Sequence, residues 1–102
     1  MYKSVLLPVA KLDIQEAAKW YEARQPGLGK KFTEQVRKSV HFIRQNPSAI
    51  AVRYDNTRAS IMDAFPYMIH FTIDAGQKLV IISAVLSTSR DPKMWANRKS
   101  IE

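Results

Sequence analysis

The hydrophobic repeat of this chain changes period at Asn46-Pro47. Before that point apolar residues recur every three or four positions; from Ile50 onward they alternate. A 3.6-residue repeat lines one face of a helix and a two-residue repeat one face of a strand, and neither pattern serves the other element. The chain is therefore a helical half followed by a sheet half. In residues 10–24, Ile14, Ala17, Ala18 and Tyr21 form an apolar stripe that Trp20 widens, with Gln15, Lys19 and Glu22 opposite. No Ser, Thr or Asn caps the start. Pro26-Gly27-Leu28-Gly29 interrupts the pattern. A second helix is predicted over 29–45, with Phe32, Val36, Val40 and Ile43 as its apolar stripe. Lys30, Arg37, His41 and Arg44 make its other face basic. Pro47 ends it, because the residue before a proline avoids the helical region. So short a connection folds two helices into an antiparallel hairpin.

Strands are predicted at 2–7, broken by Pro8, and at 50–54, 57–65, 66–74 and 78–86. In the fourth, Tyr67, Ile69, Phe71 and Ile73 share one face, and Met68, His70 and Thr72 the other. Pro66 suits only a strand start or an edge. Ala75-Gly76 signals a hairpin. The run 78–86 is apolar on both faces, as an interior strand is. The fold class is α+β: an N-terminal strand and a helical hairpin packed on one face of a mostly antiparallel twisted sheet of about four to five strands. A short C-terminal helical turn follows, capped by Asp91, begun by Pro92 and anchored by Trp95. Ile14, Tyr21, Phe32, Val36, Ile69, Phe71, Ile81 and Val85 are the expected core, and residues 1–102 form one domain.

The chain has no cysteine, which removes disulfides, thiolate metal sites and cysteine nucleophiles together. No cofactor or metal is called for. No apolar run is long enough for a bilayer, and the N-terminus lacks the pattern of a signal peptide, so a cytoplasmic location without membrane contact is expected. Lys and Arg number 16 against 9 Asp and Glu, a net charge of +7 that points to an acidic partner.

The ordered set "EAAKWYE", "GLGKKF", "NP", "FPYMIHFTID" and "AVLSTSRDPKMW" resembles the RelE/ParE superfamily of bacterial toxins along nearly the whole chain. The resemblance implies the toxin of a type II toxin–antitoxin (plasmid stabilisation) module. It also implies a cognate acidic antitoxin as partner, with operator DNA reached only through that antitoxin. ParE-like members poison DNA gyrase by binding; RelE-like members cleave mRNA in the ribosomal A site. RelE-like nucleases place lysines and arginines on the sheet face away from the helices. The matching positions here are Ser60, Met62 and Met68, none of them cationic, and Ser87 stands where many relatives have histidine. Arg90 alone survives from that set. His70 is the remaining titratable group on the face, expected to be half-exposed. His70 and Arg90 are thus the catalytic candidates should the chain cut RNA. Arg37, His41, Arg44, Arg53, Arg58, Arg90 and Arg98 are candidate contacts to target or antitoxin. The residues favour the ParE-like branch. An mRNA interferase and a relative that has lost toxicity remain the alternatives.

Overall fold

The computed structural model describes residues 1–89. In chain order the elements are β1 (Lys3–Leu6), α1 (Pro8–Arg24), α2 (Leu28–Gln45), β2 (Val52–Tyr54), β3 (Thr57–Ile61), β4 (Tyr67–Asp74) and β5 (Leu79–Ser87). The strands form one sheet in the order β1-β5-β4-β3-β2. β1 runs parallel to β5 and the other pairings are antiparallel. The expected α+β layer is therefore present, with β5 as an interior strand. The anticipated C-terminal turn, with Asp91, Pro92 and Trp95, lies outside the described residues.

Several boundaries depart from the periodicity reading. Pro8 opens α1 instead of merely ending the strand, because its missing N–H is one the first helical turn leaves unpaired anyway. α2 begins at Leu28, directly after Gly27 in the left-handed region at φ 87°. Pro47–Ala49 is a single 3-10 turn, so β2 starts at Val52 rather than Ile50. β3 stops at Ile61, four residues short of its expected end, where the chain bends and Ala64 adopts φ 66°. In the β4–β5 connection the positive φ falls on Lys78 and not on Gly76, and the Asp74 carboxylate accepts the Gln77 N–H at 3.1 Å.

The main core lies between the helices and the sheet. Phe32, Val36 and Ile43 of α2 and Ala10 and Ala17 of α1 meet Ile69, Phe71, Val80, Ile82 and Val85. Tyr21 stacks on Phe32 (centroids 5.4 Å apart), and Phe65 meets both rings edge-on. Burial, and then Tyr67, push the Tyr21 phenol above its usual range, so it stays neutral. Ile14 and Tyr21 sit at the rim of this core, only partly buried. Trp20, which widens the apolar stripe in the helical repeat, does not join this core: it is 52% exposed, with the Arg24 guanidinium 4.1 Å above its ring.

Ile81, expected in the core, is half-buried on the opposite face. The cause is a register shift between β4 and β5: Phe71 pairs with Ile82 and His70 with Ala84, leaving Ser83 as an extra residue. One inserted residue exchanges the faces of a strand. Val80 and Ile82 before the bulge and Val85 after it thus join the helix-side core, while Ala84 and Leu86 form a second cluster with Ala59 and Met68. The pairing with β1 ends at Leu6–Ile82, so among the described residues no strand pairs with the rest of β5 on that side. There Asp13 of α1 accepts the Val85 N–H at 3.0 Å.

Candidate partner-binding site

A groove of about 790 Å³ opens where the α1–α2 hairpin meets the β1 edge. Leu6, Ile14, Val36 and Val40 form its apolar floor, and Lys11, Arg37, Lys38, His41 and Arg44 border it. The helical repeat alone set the basic residues opposite the apolar stripe. In the structure the two stripes meet at the groove, because α1 covers only part of the α2 apolar surface.

The β1 edge completes the site. The N–H groups of Lys3 and Leu7 bond to Lys78 and Ile82, so alternation turns the main-chain groups of Ser4 and Leu6 away from β5. At Tyr2 that outer side is already taken: its N–H donates to the Arg44 carbonyl at 3.1 Å, and the Arg44 Nε donates to its carbonyl at 2.8 Å. Among the described residues the groove thus combines an apolar floor, cationic walls and a length of open strand.

The seven predicted contact residues separate into groups. Arg37, His41 and Arg44 come together on the groove, with Arg44 also holding β1 to α2. Arg58 is engaged internally, its Nη1 donating to the carbonyls of Ser48 (3.2 Å) and Ile50 (2.5 Å). Arg53 is exposed on β2, at the opposite edge of the sheet. Arg90 and Arg98 lie outside the described residues. Lys11 and Lys38 escaped the sequence reading, since only the docking of the two helices brings them to one rim.

His70 is fully buried, not half-exposed. Its cross-strand neighbours are Ala59 and Ala84, and its Nδ1 lies 3.1 Å from the Tyr54 hydroxyl. Ser60 and Met62 do not share its face. Met62 belongs to the helix-side core, and Ser60 pairs with Ile69 of that same core. Of the positions compared with nuclease cations, Met68 alone among the described residues stands on the His70 face, and it is buried too.

The described residues thus form a helical hairpin on a mixed sheet with a parallel first strand, a β1 edge that no other described strand pairs, and a basic-rimmed groove beside it. The chain belongs to the ParE toxin family of type II toxin–antitoxin systems (parDE), whose family model matches residues 5–92. It is the toxin of such a pair. Solved structures share its fold, three of them as follows. A chain of the chromosomal ParDE system of P. aeruginosa is 16% identical with a TM-score of 0.74, over 85% of this chain and 96% of that one. The isolated E. coli RelE toxin is 15% identical with a TM-score of 0.66, over 100% of both chains. A chain of the intact E. coli RelBE toxin–antitoxin complex is 15% identical with a TM-score of 0.66, over 88% of this chain and 100% of that one. No curated protein matches the sequence significantly.

Proposed function

We propose that this toxin acts by binding its target, in the manner of a gyrase poison, and not by cutting RNA. The observation that carries this reading is the surroundings of His70. Cleavage by 2′-hydroxyl attack needs a base, an acid and cations around the phosphate as charge builds. His70 is buried, with alanines across both neighbouring strands and Tyr54 against its ring. Such a histidine serves packing better than proton transfer to a large substrate. Primer extension on mRNA in a translating extract tests this. No new 5′ ends are expected when the protein is added, while purified DNA gyrase is expected to lose supercoiling activity. Discrete cuts within A-site codons would overturn the reading and make His70 and Arg90 the residues to mutate.

The same reading assigns the groove to the antitoxin. An acidic, amphipathic helix would lay its apolar face on Ile14, Val36 and Val40 and its carboxylates against Arg37 and His41. Operator DNA would then be reached through the antitoxin, and the cytoplasm is the compartment where such a target and partner meet.

A further inference from the structure

α2 borders a second depression, of about 320 Å³, on the flank away from the basic groove. One wall is α2, with Lys38 and Phe42; the other is the end of β3 and the turn after it, with Ser60, Ile61 and Asp63. Phe42 is 60% exposed and Ile61 62%. Among the described residues the strand edge here is open as well. β2 pairs only with Thr57 and Arg58, and β3 continues past it to Ile61. The Met62 N–H turns inward to the Tyr67 carbonyl, so alternation turns the main-chain groups of Ile61 outward. An exposed aromatic beside an exposed β-branched residue and an open strand edge marks an interaction surface.

The order of residues along the two walls matters. Further toward the α2 N-terminus, Lys31 and Glu34 face Ala64 and Pro66. The helix and the opposing chain thus run in opposite senses, which sets Lys38 across from Asp63 and Phe42 across from Ser60 and Ile61.

We propose that this flank is the interface of a homodimer. A two-fold axis lying along the depression exchanges its walls and keeps its ends. It brings each Lys38 onto the other copy's Asp63 and each Phe42 onto the other copy's Ser60–Ile61 wall. Such self-complementarity is what an isologous interface requires. The charge on this flank is balanced, one Lys against one Asp. That suits a second copy of the chain better than an acidic segment, for which the cation-rimmed groove is the better match. The groove stays open in the dimer except at Lys38, which borders both depressions.

Sedimentation equilibrium of the full chain tests this, with circular dichroism to confirm that each variant folds. The wild type is expected to form a dimer in the micromolar range typical of small interfaces. Phe42→Glu, K38E and D63K are each expected to weaken it by about tenfold or more. The decisive sample is an equimolar mixture of K38E and D63K. In that heterodimer one junction keeps the native Lys–Asp pair and the other carries it reversed, so the mixture dimerises more tightly than either variant alone. A wild type that stays monomeric, a dimer indifferent to all three substitutions, or folded variants whose mixture stays monomeric would each overturn the proposal.

Discussion

Glu22 shows how one side chain closes the hairpin. Its carboxylate accepts the Gly27 N–H (3.0 Å) and the Gly29 N–H (3.0 Å), donors that open α2 and that Gly27, lacking a side chain, cannot satisfy itself. The helical repeat placed Glu22 on a solvent face, and five to seven residues separate it from its partners. Replacing a cap costs about 0.5–2 kcal/mol. Glu22→Ala is expected to lose about 1–2 kcal/mol in urea melts, and Glu22→Gln less, since one acceptor oxygen remains. Gly29 has a different task. A Cβ there would stand 2.6 Å from the Ala18 carbonyl oxygen, a backbone atom that moves only if the helices part. Gly29→Ala is expected to cost about 1–3 kcal/mol, as overpacking does, despite the better helix propensity of alanine. A melt at or above the wild-type temperature would show that the hairpin relaxes around the methyl group.

At the level of elements, β5 decides which residues form the core. Ser83 is the additional residue that lets Val80 and Ile82 share a face with Val85. Deleting Ser83 would remove the bulge and leave Ile82, Ala84 and Val85 in strict alternation, so that each keeps its present face. The deletion is therefore expected to keep a cooperative unfolding transition with the same core. Ser83→Ala, which removes only the hydroxyl contact to the His70 carbonyl at 3.3 Å, should cost about 1 kcal/mol. Loss of the cooperative transition in the deletion variant, measured by denaturant melts, would mean that Ser83 is not the residue the β4–β5 ladder leaves over. Phe71, fully buried on β4, is expected to cost about 3–5 kcal/mol when cut to alanine. A loss below about 1 kcal/mol would contradict its placement in the main core.

The whole molecule carries +7, and the groove concentrates part of that charge beside exposed apolar surface. Partner binding there should raise the melting temperature by linkage, by about 2.7 kcal/mol of stability at a hundredfold excess over Kd. It should weaken with salt, because exposed charges are screened within about 10 Å at 0.1 M. Arg37 is exposed, so Arg37→Glu is expected to leave the free toxin's melt unchanged, weaken antitoxin binding by about tenfold and flatten the salt dependence. Calorimetric titrations at low and high salt check this. Binding that ignores both salt and Arg37→Glu would place the antitoxin elsewhere.

The sequence by itself determined the succession of helices and strands in the described residues, the two faces of β4 and, Trp20 apart, the residues of both apolar stripes, because these follow from local periodicity and from where prolines fall. It also carried the family, since "FPYMIHFTID" and its companions stand in order along the chain. Tertiary structure alone decided the rest. The bulge at Ser83 depends on how β4 and β5 pair, and no local repeat records an extra residue. Burial of His70 depends on what lies across from it on both neighbouring strands and above its face. The groove exists only because α1, α2 and β1 meet, so Lys11 and Lys38 acquire neighbours that lie far away in sequence. Arg44 and Arg58 looked like surface cations and became internal braces, because whether an arginine faces water or a backbone carbonyl depends on what folds over it.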